Sequence, residues 1–95
     1  LEVLEEAVLE AAAAAEWYAA RSPSAAAGFQ AELDTAFDAI QRLPLAWAVF
    51  EGQTRRYILR RYPFYVVYRI EATRVLVVAV AHGHRQPGYW RGQRE

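Results

Sequence analysis

Residues 64–71 (FYVVYRIE) and 74–82 (RVLVVAVAH) are two runs of β-branched and aromatic residues separated only by Ala72 and Thr73. Runs of this kind favour extended backbone, and so short a gap returns the second run beside the first as an antiparallel hairpin. Pairing across that loop sets Glu71 against Arg74, Arg69 against Leu76, Val67 against Val78 and Tyr65 against Val80. Side chains alternate along a strand. One face therefore carries Phe64, Val66, Tyr68, Ile70, Val75, Val77, Ala79 and Ala81, without a charge, and is expected to lie under helices. The other carries Tyr65, Val67, Arg69, Leu76, Val78, Val80 and His82. A slip of one residue would reverse these assignments.

The chain upstream supplies the cover. Over residues 4–21, Leu4, Val8, Ala11, Ala15 and Tyr18 fall on one helical stripe, and the alanines combine high helix propensity with a slim face. Pro23 disfavours helical backbone at Ser22, which ends this helix, and Ser22 or Ser24 caps a second one running to about Leu43. Its stripe is Phe29, Leu33, Ala36, Phe37 and Ile40, and Pro44 terminates it. Short strands are expected at residues 1–3 and 48–50, and a longer one at 55–61, with Tyr62-Pro63 as the turn into residue 64. Taken as a two-residue turn, Tyr62-Pro63 brings Arg56, Ile58 and Arg60 onto the face that holds Tyr65, Arg69 and His82. The expected fold is a single α+β domain over residues 1–95. In it an N-terminal helical hairpin, after a short first strand, packs on one face of a three- to four-stranded antiparallel sheet.

Charge is divided along the chain. Residues 1–54 hold nine acidic side chains against Arg21 and Arg42, whereas residues 55–95 hold nine arginines against Glu71 and Glu95. The split suits either a basic face for an anionic partner or two layers that complement each other internally. The chain has no cysteine, hence no disulfide framework and no thiolate metal site. No apolar run reaches the roughly 18 residues of a membrane span. The acidic start, Glu2, Glu5 and Glu6, is unlike a secretion signal, so no membrane partner and a cytoplasmic location are expected. With no methionine present, the native first residue is expected to have been trimmed or to lie outside the given residues.

The chemistry-bearing groups cluster where the last strand ends, in AHGHRQPGYW, residues 81–90. His82 and His84 at alternate positions lack a third ligand nearby, so neither a metal nor any other cofactor is expected. Either histidine suits general acid–base work, or a hydrogen bond at a strand end. Tyr89 and Trp90 can stack on a base or cover the end of the core. Arg56, Arg60, Tyr65, Arg69, His82, His84, Arg85 and Trp90 are the expected contact residues of this surface.

RRYILRRYPFYVVYRIE followed by VLVVAVAHGHRQPGYW, after a helical hairpin containing EWYAARSP and IQRLP, resembles the RelE/ParE superfamily of bacterial type II toxins over nearly the whole chain. The resemblance implies a growth-inhibiting toxin held in a hetero-oligomer by a cognate antitoxin encoded beside it. In the RelE-like branch it implies a ribosome-dependent ribonuclease that cuts mRNA, with Arg60, Arg69, His82, Arg85 and Tyr89 as its catalytic set. Such cleavage needs a base for the 2′-hydroxyl, cations for the phosphorane charge and an acid for the leaving oxygen. In the ParE-like branch it implies no catalytic set and inhibition of DNA gyrase. The absence of lysine and the His82-Gly83-His84-Arg85 run favour the ParE-like branch, with the nuclease as the alternative. Either way the antitoxin is expected to lay an amphipathic helix or extended segment across the hairpin and the sheet edge. Its acidic groups would meet arginines such as Arg60 and Arg69.

Overall fold

The computed structural model describes residues 1–94. Strand β1 (Glu2–Val3) leads into helix α1 (Glu5–Ala19) and helix α2 (Pro23–Arg42), followed by strands β2 (Arg55–Ile58), β3 (Phe64–Ile70) and β4 (Val75–His82). The sheet order is β1-β4-β3-β2. Two helices on a sheet are as expected from the sequence, but the sheet is mixed: β1 runs parallel to β4, with Glu2 opposite Leu76 and Val3 opposite Val77. The Leu4 N–H extends that ladder to the Val77 carbonyl at 2.9 Å. Residues 48–50 form no strand, and contribute an isolated bridge from Val49 to Arg55.

Helix α2 follows its sequence closely. The Ser22 hydroxyl accepts from the Ala25 N–H at 3.3 Å, Pro23 occupies the first turn, and Phe29, Leu33, Ala36 and Ile40 are buried. Helix α1 keeps Ala11, Ala15 and Tyr18 of its expected stripe against the core but turns Val8 out of it. Ala7 and Ala14 are its buried residues, while Val8 is 50% exposed. Small side chains let α1 lie close to β4, leaving the larger Val8, Leu9 and Trp17 outside. Glu5 and Glu6 in its first turn favour the positive end of the helix dipole.

The β3–β4 hairpin begins as expected. Glu71 N–H bonds to the Arg74 carbonyl at 2.8 Å, and Arg69 pairs with Leu76. Between Val67 and Tyr68 the register shifts: Tyr68 faces Val77 but Val67 faces Ala79, so Val78 is the extra residue of a β-bulge. Beyond it the two faces of β4 exchange. Val80 joins the core under the helices with Val66, Tyr68 and Val77, and His82 follows it to that side, its ring against Phe64 at 5.0 Å. Ala79 and Ala81 lie instead on the second face, with Tyr65, Val67 and Val78.

That second face is covered. Trp90 is fully buried there, 5.7 Å from the Phe50 ring between centroids, with Leu4 and Tyr89 packed at the margins. The sheet is thus sandwiched between the helices on one side and two irregular segments, around Phe50 and residues 83–94, on the other. No helix among the described residues is long and apolar enough to cross a membrane.

Candidate functional site

The expected arginine-rich face is dispersed by three local causes. The connection between β2 and β3 is the five-residue segment 59–63, closed by Leu59 N–H to the Phe64 carbonyl at 3.0 Å, and not a two-residue turn. Arg60 lies in it, its backbone N–H donating to Glu32 Oε1 of α2 at 2.8 Å. It therefore belongs to the α2 side, beside Arg61, and not with Arg56 on the second face. The bulge moves His82 to the helix side. Arg69 remains on the second face, but at the hairpin end. His82 lies opposite Phe64, five positions back along β3, about 17 Å away at the usual rise of a strand.

Arg69 and His82 are already engaged. Glu71 accepts from Arg69 through Nε at 2.9 Å and Nη2 at 2.6 Å, and from Arg74 Nε at 2.6 Å, while Arg74 also pairs with Glu2. Bonds from Arg74 and then Arg69 hold the Glu71 carboxyl below its ordinary range. His82 accepts the His84 N–H on Nδ1 at 3.0 Å. The exposed His84 ring lies 5.0 Å from that of His82.

Glu10 was not among the expected site residues, yet it organises the far end of the sheet. It projects from α1 to the part of β4 that β1 is too short to pair. Glu10 Oε1 accepts the Val80 N–H at 2.9 Å and Arg94 Nη1 at 2.9 Å, and Oε2 accepts the Tyr89 hydroxyl at 2.6 Å. Arg94 also donates to the Val78 carbonyl at 3.2 Å. A carboxylate and a guanidinium thus serve the unpaired backbone of β4 in place of a neighbouring strand. Burial, followed by the bond to Glu10, pushes the Tyr89 phenol far above its ordinary value, which makes it a poor proton donor. The sequence signal for Glu10 was modest: a lone acid between Leu9 and an alanine run.

Beside this junction an open, mainly apolar groove of about 470 Å³ separates α1 from the ends of β3 and β4. Ala13, Trp17, Tyr18 and Phe64 form its walls, with His82, Arg85 and Tyr89 at the polar side. Trp17 is 53% exposed and carries the Arg21 guanidinium over its ring at 3.4 Å. Arg85 lies over Tyr89 at 3.8 Å. Of the expected contact residues, the structure gathers His82, His84 and Arg85 around this end of the sheet, with Tyr89 of the expected catalytic set. Arg56 and Tyr65 stand together on the second face, their contact spanning 5.2 Å from Arg56 Cζ to the ring centroid. Arg60 and Arg69 stand apart from both groups. Trp90, expected at the contact surface, is buried in the core of the second face.

A family model described as the ParE toxin of the type II toxin-antitoxin system parDE matches residues 1–87. A comparison with curated proteins returned no match.

Proposed function

The chain belongs to the ParE toxin family of type II toxin–antitoxin systems, and from that premise we propose that it arrests growth by binding DNA gyrase and not by cutting RNA. A toxin of this type has a protein antitoxin as its partner. The observation that carries the choice of target is that the groups a nuclease would use come together only in part: His82, Arg85 and Tyr89 share one end of the sheet, while Arg60 and Arg69 are held elsewhere. Arg69 sits at the hairpin end of the sheet on Glu71, His82 at the opposite end on the other face, and Arg60 beside α2. Tyr89 is held by Glu10 with its proton made harder to remove. Acid–base cleavage requires its base, acid and cations within hydrogen-bond reach of one phosphate, and a set so divided favours action by binding.

Purified toxin added in parallel to a gyrase supercoiling reaction and to a translating extract tests this. Inhibited supercoiling with intact mRNA is the expected result. Cleavage of mRNA that disappears in His82→Ala or Tyr89→Phe would overturn it.

The groove along α1 is the proposed seat of the antitoxin. Its apolar walls and the exposed Trp17 suit an amphipathic helix, and Arg85 and His82 at its polar side suit acidic residues of that helix. Trp17→Ala is expected to weaken the toxin–antitoxin complex at least tenfold, as loss of a central aromatic anchor does. Arg42→Ala, remote on α2, is expected to leave it unchanged.

A further inference from the structure

We propose that Leu43, Leu45, Val49 and Ile58 form the surface by which the toxin grips its target, and that the target meets it with an apolar patch edged by carboxylates. The proposal rests on the reading of the chain as a gyrase-binding toxin and locates that contact. These four side chains are 58%, 73%, 66% and 59% exposed. They belong to the segment LPLAWAV, residues 43–49, and to the edge strand β2 beside it. The segment is held at several points. The Leu43 carbonyl accepts the Ala46 N–H at 3.0 Å, and the hydroxyl of the buried Tyr68 donates to the Pro44 carbonyl at 2.6 Å. Arg55 Nη1 reaches the Leu45 carbonyl at 3.4 Å and that of Trp47 at 2.6 Å. Val49 is bridged to Arg55, and the Arg56 N–H donates to the Ala48 carbonyl at 3.1 Å. Trp47 turns inwards onto Tyr57, their ring centroids 4.6 Å apart, while Ala46 and Ala48 on either side of it are exposed. Ile58, three residues beyond Arg55, extends the rim by about 10 Å.

A pinned backbone with its apolar side chains turned outwards suits a contact surface, because anchors already in place lose little freedom on binding. The surroundings decide what it takes. The acids nearby are answered, Asp38 by Arg42 at 3.6 Å and Glu51 by Arg91 at 3.7 Å. Arg55 and Arg56 form no ion pair among the described residues, which leaves the rim with net positive charge. A second copy of the chain would set these arginines against their own counterparts across a two-fold interface, and like charge disfavours that. An added strand is ill suited too. The Arg56 N–H on the outer edge of β2 is taken by Ala48, and the Arg60 N–H just beyond it by Glu32 at 2.8 Å. An apolar patch edged by carboxylates on another protein satisfies both the side chains and the charge. The rim shares no residue with the groove along α1 proposed for the antitoxin, so mutation can separate the two contacts.

The test measures Leu45→Asp and Val49→Asp in the full chain by three readouts: inhibition of gyrase supercoiling, growth arrest after induced expression, and affinity for the cognate antitoxin. Each variant is expected to raise the half-inhibitory concentration at least tenfold and to relieve growth arrest, as loss of an interface anchor does. Antitoxin affinity and thermal unfolding should be unchanged. Arg56→Ala is expected to raise the half-inhibitory concentration about threefold and to reduce its dependence on salt. Leu9→Asp, at an exposed apolar position on α1, should inhibit as the parent does. Rim variants that inhibit and arrest like the parent overturn the surface. Loss of antitoxin affinity in step with inhibition would assign the rim to the antitoxin, and a parent dimer that the rim variants dissociate would assign it to self-association; either result overturns the proposal. A parent that arrests growth without inhibiting supercoiling sinks the gyrase reading alone, and the rim then stands or falls on relief of growth arrest.

Discussion

The Tyr89 hydroxyl donates to Glu10 Oε2 at 2.6 Å, joining the C-terminal turn to the first helix across 79 positions of sequence. The same carboxylate serves the Val80 N–H and Arg94, whose side chain is 13% exposed against 16% for Glu10. This contact closes the molecule at the end where its sheet has no outer strand.

Glu10→Ala leaves a guanidinium and a strand N–H without their acceptor in a mostly buried place. The expected loss is about 3 kcal/mol of unfolding free energy, the scale for breaking one side of a buried pair. Glu10→Gln keeps an acceptor oxygen and should lose less than half of that. Urea unfolding of both variants checks the order, and equal losses would count against the carboxylate's charge as the reason.

Tyr89 ionises far above its ordinary value of 10.0, first through burial and then through Glu10. Because the folded value is raised, the stability it contributes is complete below pH 10.0 and is lost as pH rises through the folded value. Tyrosinate absorbance of Tyr89→Phe should therefore lack one late-ionising phenol relative to the parent. The difference should appear at the alkaline end of the titration and, in urea, move down to the range of an ordinary phenol.

Glu32 contributes at the opposite end of the pH scale. Burial alone would raise its carboxyl, but the backbone N–H groups of Arg60 and Arg61 and the Arg61 guanidinium outweigh that and lower it from 4.5. A lowered folded value means stability complete above pH 4.5 and lost as pH falls below it. Glu32→Gln should flatten the decline in melting temperature over that acidic window, and a parent and variant that decline in parallel would refute the assignment.

Trp90 fills the core of the second face, with its indole N–H unpartnered. Trp90→Ala is expected to cost about 4 kcal/mol, within the range for emptying an aromatic site. That is much of the total stability of a domain this size. Trp90→Phe keeps a ring and removes the orphan donor, so its loss should be less than half as large. Chemical denaturation monitored by circular dichroism measures both.

The architecture was legible where local chemistry and periodicity agree. Ser22-Pro23 divides the helices as it reads, Phe29, Leu33, Ala36 and Ile40 bury the stripe of α2, and Ala72-Thr73 turns the hairpin with Arg69 opposite Leu76. The site was less legible, because faces were counted by strict alternation and one added residue defeats that count. An all-valine and alanine run such as Val77-Val78-Ala79-Val80-Ala81 is apolar on both sides, so nothing in it marks where a bulge falls. Tyr62-Pro63 failed differently. The turn signal was real, but its length depended on Glu32, far away in the chain, accepting from the backbone of Arg60 and Arg61. Trp90 reads as polar-capable and terminal, and only the uncovered apolar surface beside Tyr65 and Val67 explains its burial.

The parallel pairing of β1 with β4 also sets an order of events. Glu2 and Val3 are synthesised well before their partners, Leu76 and Val77. Helices α1 and α2 join residues near in sequence and can form early, but the sheet cannot close until Leu76 and Val77 have been made. A newborn copy therefore passes through a period in which its helical pair exists and its finished sheet does not. In that interval, whatever grips the helices first meets a molecule still unable to act.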